Sequence, residues 1–243
     1  MAENRPIAVE FRGVAKRFGR LSVLVDVNLT VERGRFLTIF GPNGAGKTTL
    51  FGILTGMIRP SAGSVRMNGI DPREGAESIK AQIGVISHSP FLYDDLTAEE
   101  NLVFYGRMYN VLSLDERVKE VLEQVGLLYR RHDRVGTFSR GMKQRLTIAR
   151  ATLHRPSIFL LDEPYTGLDE AASEMLDRLL REIIRVGERT VFMSTHDLHR
   201  EIAVSDTMAI LGQGRIIYEG DRSTVTPEEF RHVYRSIFTD ESF

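Results

Sequence analysis

Three features of the sequence predict an α/β fold carrying a helical insertion. A short apolar run, Arg35 to Phe40, leads into a glycine-rich turn and then a helix-like stretch from Lys47 to about Met57. Strand, glycine loop, helix is the order that a phosphate-binding α/β unit requires. A second apolar run, IFLLDE from Ile158 to Glu163, ends in two carboxylates. Between these runs, from about Asp95 to Leu153, the pattern turns mainly helical for roughly sixty residues.

Taken in chain order, β-like pieces come first. Ile7 to Phe11 is one. Val23 to Val31 is another, with Val25, Val27, Leu29 and Val31 alternating with polar residues. Ile83 to Ser87 reads as a further strand. Thr97 with Glu100, and Ser113 with Glu116, have capping-box spacing and mark two helix starts. The helical block ends near Pro156. Met175, Leu176, Leu179, Leu180, Ile183 and Ile184 then recur at helical spacing, the stripe of a helix facing a core. TVFMST, Thr190 to Thr195, is a strand. MAILGQGRIIYEG reads as a hairpin turning near Gly212 to Gly214. Thr226, Pro227 and Glu229 supply N-cap, first-turn proline and capping glutamate for a last helix. No clear linker interrupts the pattern, so one domain with a helical subdomain is expected.

Composition narrows the function classes. A chain of 243 residues can bury a sizeable core. Its formal net charge of -1 argues against nucleic acid as the main partner, which would favour a basic surface. The absence of cysteine excludes disulfides, zinc–thiolate sites and thiol nucleophiles. No run is long and apolar enough for a membrane span or a signal peptide, so a cytosolic chain is expected, with any spanning part supplied by a partner.

Chemistry concentrates in four segments. GPNGAGKT, Gly41 to Thr48, matches G-x-x-x-x-G-K-[ST]. Three glycines let backbone N–H groups turn inward around phosphate oxygens, and the helix start behind them favours anions. Lys47 suits the β- and γ-phosphates, and the Thr48 hydroxyl suits Mg²⁺. At the end of IFLLDE, Asp162 is placed to hold Mg²⁺ and Glu163 to polarise an attacking water. Neighbouring residues on a strand point to opposite sides, so the two acids can have separate tasks. SRGMKQ, from Ser139, opens a helix. It reads equally as a second anion site or as a plain serine N-cap. The histidine of STHD, His196, closes a strand, where it either contacts a γ-phosphate or is structural.

In combination, GPNGAGKTT, SRGMKQR, IFLLDEP, GLD and STHD resemble, in order and spacing, the ATP-binding subunits of ABC transporters. The resemblance covers roughly residues 7 to 220, and five motifs in order make it specific. It implies a P-loop NTPase fold: a RecA-like core, an N-terminal antiparallel β subdomain and a helical signature subdomain. On that pattern the ATPase domain spans residues 5–221 with its helical subdomain at about 89–154, and 222–243 form a short tail. The resemblance also implies a head-to-tail dimer, most simply of two identical chains, with Mg-ATP sandwiched between the phosphate loop of one and the signature of the other.

Carried over by motif, Gly41, Pro42, Asn43, Gly44, Ala45, Gly46, Lys47, Thr48 and Thr49 bind ATP. Phe18, in VAKRFGR, falls where the family stacks an aromatic on adenine; a plain core residue is the other reading. Glu163 matches the catalytic glutamate, His196 the switch histidine and Asp169 the dimer-communication loop. Ser139, Arg140, Gly141 and Met142 match the signature that completes the partner's site. Two departures stand out. The usual LSGGQ is FSRGM here, keeping Ser139 and Gly141 but replacing a glycine by Arg140 and the glutamine by Met142. The glutamine that touches Mg²⁺ and senses the membrane partner is His88, whose protonation lies in the physiological range. ATPase activity is therefore expected to fall below about pH 6.5 more steeply than in a His88→Gln variant.

His88 ahead of FLYDDLTAEENL, the Arg-Gly-Met signature and Tyr165 in DEPYTGLD resemble the haem-exporter ATPase of cytochrome c maturation. The alternatives are an ABC-2-type exporter ATPase for drugs, lipids or polysaccharides, and a soluble ATPase of iron–sulfur assembly type. The transport readings imply an integral membrane permease, docked beside Phe91 to Asn101, and a peripheral position on the cytoplasmic face of the cell membrane.

Overall fold

The computed structural model describes residues 5–239 apart from 88, 167, 169, 187–188 and 199–204. Its contacts divide the chain into two compact units, residues 1–79 with 190–243, and residues 80–189.

In the first unit, β1 (Ile7–Phe18) and β2 (Leu21–Glu32) form an antiparallel hairpin, and β4 (Ala62–Met67) adds antiparallel to the far edge of β1. β1 runs well beyond the expected Phe11. Arg12 and Gly13 look like a breaker, but the strand passes them through a register shift between Phe11 and Val14. Gly13 takes φ +58° there, its N–H held by the Asn28 side chain at 2.8 Å. A glycine at a left-handed bulge is the device that bends a strand without ending it. Gly63 on β4 lies so close that a Cβ would sit 2.3 Å from the Gly13 carbonyl oxygen.

A parallel trio follows in the same unit. β3 (Phe36–Phe40) lies between β7 (Thr190–Thr195) and β8 (Thr207–Gly212), and β9 (Arg215–Asp221) pairs antiparallel with β8. All five residues of β3 are buried, as a strand covered on both faces requires. Helix α1 (Lys47–Leu54) covers one face. Phe192 of β7 meets Phe51 of α1 at 5.2 Å and Phe11 of β1 at 6.0 Å, so aromatic packing joins sheet, helix and hairpin. On another side, Phe40, Met208 and Ile210 pack with Phe230 of helix α7 (Pro227–Thr239). The expected cap of that helix is present: Thr226 Oγ accepts from Glu229 N–H, and Glu229 returns an acceptor to Thr226 N–H.

The second unit pairs β5 (Ile83–Ser87) in parallel with β6 (Ile158–Asp162) and carries helices α3 (Ala98–Met108), α4 (Leu114–Gln124), α5 (Arg140–Thr152) and α6 (Glu170–Val186). A five-residue helix, α2 (Ala76–Lys80), spans the boundary of the two units. The Thr97–Glu100 capping box forms as expected. The Ser113–Glu116 box does not. Ser113 sits at φ 47°, ψ 49°, in the left-handed region and not the extended one that a capping serine takes, and its side chain makes no cap hydrogen bond to α4. On α6, Leu176 and Leu180 are fully buried, as their spacing predicts; Ile183 and Ile184 lie outside the described side chains.

Candidate functional site

β3 delivers the chain into the glycine loop, and each glycine has a separate geometric reason. Gly41 N–H is bonded to the Thr195 carbonyl at 3.3 Å, and a Cβ on Gly41 would lie 2.4 Å from the Leu211 carbonyl oxygen. Gly46 takes φ +110°, and its missing Cβ leaves room for Leu24, 2.7 Å away. Gly44, at φ +83°, faces open space. The loop is therefore packed on its protein side and bare on the other. Helix α1 then starts at Gly46 with no side-chain cap and no acidic residue in its first turn. The first-turn N–H groups and positive dipole end of such a helix favour an anion.

Lys47 is buried to 6 % exposure, and its ammonium donates to the Gly41 carbonyl at 2.8 Å and the Pro42 carbonyl at 3.1 Å. A buried ammonium is held only where such acceptors satisfy it. Thr48, next along, is exposed; Ala45 is buried, Pro42 and Asn43 are exposed and Thr49 is half-buried. In the same unit β7 ends in Thr195, whose hydroxyl accepts the Asp197 N–H at 3.0 Å and fixes the turn that presents the exposed His196. Phe18 ends β1 with 48 % of its surface exposed, so it is not a core residue. Lys16 stands over its ring, Nζ 4.6 Å from the centroid. No motif singles out Lys16; its place at the ring follows from the fold, where a register shift separates it from Arg17 and Phe18.

In the second unit, Asp162 is 5 % exposed at the end of β6, and Glu163 follows with φ 52°. That left-handed backbone is costly for a residue with a Cβ, and Pro164 behind it narrows the choices further. The side chain of Glu163 accepts from the Thr166 hydroxyl at 3.3 Å, and Thr166 N–H bonds the Glu163 carbonyl. Strain of this kind gathers where a side chain must be aimed. Tyr165 donates to Asp177 Oδ1 at 2.5 Å, which ties the loop to α6. Ser139 caps α5: its Oγ accepts from Met142 N–H at 3.2 Å. Ser139 and Arg140 are exposed, Met142 is half-buried and Gly141 is buried. His88 and Asp169 lie outside the described residues.

A strand-to-helix glycine loop with its lysine folded inside points to nucleotide phosphate. Residues 24–166, more than half of the chain, match the family model described as ABC transporter. This chain belongs to the ABC transporter family. It is an ATP-binding and ATP-hydrolysing subunit coupled to transport, with the P-loop α/β fold and antiparallel β subdomain of that family.

Among its relatives is the ABC transporter ATP-binding protein NatA of Bacillus subtilis, 36% identical over 198 residues and covering 80% of each chain. The Nod factor export ATP-binding protein I of Burkholderia lata is 36% identical, over 88% of this chain and 71% of its own length. The doxorubicin resistance ATP-binding protein DrrA of Mycobacterium tuberculosis is 35% identical over 233 residues, 94% of this chain and 69% of its own. Among solved structures, an ATP-binding subunit of an ABC transporter superposes with TM-score 0.86 at 28% identity, covering 95% of this chain and 99% of that one. A dimeric ATP-binding cassette in a post-hydrolysis state with ADP and phosphate gives TM-score 0.78 at 28% identity, over 88% and 98%.

Proposed function

We propose that this ABC protein is the ATPase of an ABC-2-type exporter, moving a drug, lipid or polysaccharide through a membrane permease. The observation that carries the nucleotide part is the Gly41–Lys47 cradle, packed behind and open in front. The exporter part rests on the relatives, one named for doxorubicin resistance and one for Nod factor export. They favour this reading over haem export, for which the patterns at His88, Arg140–Met142 and Tyr165 speak. The bond from Tyr165 to Asp177 gives that tyrosine a structural task independent of any cargo.

In the reading proposed, residues 5–221 form the ATPase domain, with its helical subdomain at about 89–154 and the tail at 222–243. ATP binds through Gly41 to Thr49, Lys47 and the loop N–H groups meet the phosphates, and adenine stacks on Phe18. Among the described residues no cluster of three or more acidic, histidine or cysteine side chains holds a metal alone. Thr48 and Asp162, each in its own unit, carry oxygen donors of the kind that Mg²⁺ takes; the ion, which keeps phosphate and water ligands, would neutralise developing phosphate charge. His88 is assigned beside them by motif alone.

Glu163 orients or deprotonates the attacking water, and His196 holds the γ-phosphate. Ser139, Arg140, Gly141 and Met142 of a second copy close over the nucleotide. Asp169 carries the state of one site to the other. Closure of two chains around ATP is the step that the permease converts into movement. Its landing surface lies on the second unit. Beside Phe91 to Asn101, the segment assigned to the permease, Phe91, Tyr93 and Phe104 are exposed at 40–49 %, and Tyr93 and Phe104 meet edge-on at 5.2 Å. No helix among the described residues is long and apolar enough to cross a membrane, which leaves that part to the permease.

A pull-down of the tagged chain from detergent-solubilised native membranes, with bound proteins identified by mass spectrometry, tests this. An ABC-2-type permease is the expected partner. Haem-handling membrane subunits would restore the haem reading, and soluble partners alone would refute transport.

A further inference from the structure

We infer that Lys16 is a positioning residue for the nucleotide base: it backs the Phe18 ring so that the opposite face is presented to adenine. The inference rests on the assignment of Phe18 as the stacking ring.

Three observations meet at this corner of the first unit. Phe18 is the last residue of β1, paired with Leu21 across a turn in which Gly19 takes φ +58°. Phe18 is 48 % exposed and Leu21 66 %, so much of both side chains is open to solvent. A phenylalanine at a strand end would swing freely about χ1 unless something held it. Lys16, two residues earlier on β1 and just before a register shift at Arg17, places Nζ 4.6 Å from the ring centroid.

The ammonium is itself fixed. Nζ donates to the Arg59 carbonyl at 2.8 Å, in the segment between α1 and β4. The neighbouring Arg17 N–H bonds Ser61 Oγ at 3.0 Å, and Ser61 N–H bonds the Ala15 carbonyl at 2.7 Å. Residues 15 to 17 are thus stitched to 59 and 61 by three hydrogen bonds. The cation is braced from behind by backbone and sits against one ring face. Such a cation attracts the π-electrons of that face and leaves the other, polarised and held, for a flat partner.

A base, not a phosphate, is what such an arrangement serves. A ring braced in advance loses less freedom when the base arrives, and this is how preorganisation raises affinity. A lysine that instead attracted phosphate directly would act on any polyphosphate, with or without a base.

Affinities measured calorimetrically on the full chain separate these roles, using ATP and inorganic tripolyphosphate as probes. The variants are Lys16→Ala, Lys16→Arg, Phe18→Ala and the Lys16→Ala/Phe18→Ala double. Lys16→Ala is expected to weaken ATP about two- to fivefold, the size of an exposed cation–π contact, and to leave tripolyphosphate unchanged. Lys16→Arg should restore ATP affinity, because a guanidinium also stacks on a ring. In the Phe18→Ala background the lysine change should cost nothing more. Equal losses for ATP and tripolyphosphate, or additive losses in the double variant, would overturn the inference. Phe18→Ala weakening ATP while Lys16→Ala does not would overturn it alone. Unchanged ATP affinity in Phe18→Ala would remove the stacking assignment as well.

Discussion

Lys47 turns its ammonium back onto the loop that carries it, within 2.8 Å of the Gly41 carbonyl and 3.1 Å of the Pro42 carbonyl. The charge is thereby stored in place, so a phosphate has only to exchange acceptors with it. Lys47→Ala is expected to lower ATP affinity about ten- to hundredfold, since hydrogen bonds to a charged group are worth about 1.5–3 kcal/mol. Near-normal binding by calorimetry would refute the phosphate role of this lysine.

Glu163 combines a functional side chain with an unfavourable backbone, φ 52° ahead of a proline. Left-handed strain at a non-glycine residue costs about 1–3 kcal/mol. Glu163→Gly should therefore stop hydrolysis yet raise stability by about 1 kcal/mol in urea titration. Glu163→Gln keeps the strain; it should bind ATP, fail to turn it over and run as a trapped dimer on size exclusion. A destabilised glycine variant, or a monomeric glutamine variant with ATP, would count against these assignments.

The glycines of the loop are not interchangeable with alanine. At Gly46 a methyl group would meet Leu24 at 2.7 Å on a backbone of φ +110°, and at Gly41 it would meet the Leu211 carbonyl at 2.4 Å. Each alanine variant is expected to lose about 1–3 kcal/mol of stability. Gly44→Ala meets no atom within 4 Å and pays only for its φ, so its melting temperature should fall less than the other two.

His154 introduces a pH dependence of stability. Its ring stacks on Tyr109, centroids 4.0 Å apart, and its Nε2 lies 3.0 Å from the Ile83 carbonyl. Burial, with Arg150 and Arg117 nearby, lowers its pKa from 6.5 to about 4. Between those values the unfolded chain binds a proton that the folded chain refuses. Stability should fall as pH drops from about 6.5 to about 4, by at most about 1.4 kcal/mol per unit, and be unaffected by this group above that window. Urea unfolding of wild type and His154→Gln at pH 7.5 and pH 5 checks this: the variant should lose less, and parallel losses would refute it.

The two helix caps expected from the same motif make a further pair. Thr97→Ala removes a formed capping box and should cost about 1 kcal/mol. Ser113→Ala removes no cap; Ser113→Gly should stabilise by up to about 1 kcal/mol, because φ 47° suits glycine. Thermal melts of the three variants would reveal a hidden Ser113 cap if the alanine changes proved equal.

That pair also shows what a sequence can and cannot reveal. Glycine spacing, the terminal carboxylates of IFLLDE and the Thr97 and Thr226 caps are local signals, and they appear where they were read. Ser113 has the same letters as Thr97 but a backbone set by its surroundings. β4 carries no local strand signal, because half of its six residues are exposed and they become a strand only through β1, with Val9 opposite Met67. The sequence of β1 reads as a strand only to Phe11 because nothing local says that Asn28 will hold Gly13. Phe18 is legible as a candidate, but placing the lysine behind it requires the fold as well as the motif.

Residues 23 to 25 of β2 form a wall shared by two distant turns. Gly46 of the glycine loop closes on Val23 and Leu24; Gly214 of the β8–β9 turn comes so near the same residues that a Cβ would touch the Val23 carbonyl at 2.4 Å, and Val25 N–H bonds the Gly214 carbonyl at 2.8 Å. The nucleotide cradle is therefore not a portable motif. A peptide holding only residues 35–57 carries every letter of the signature and none of this wall, and grafting the loop into another protein would require its backing strand and that strand's own support to travel with it.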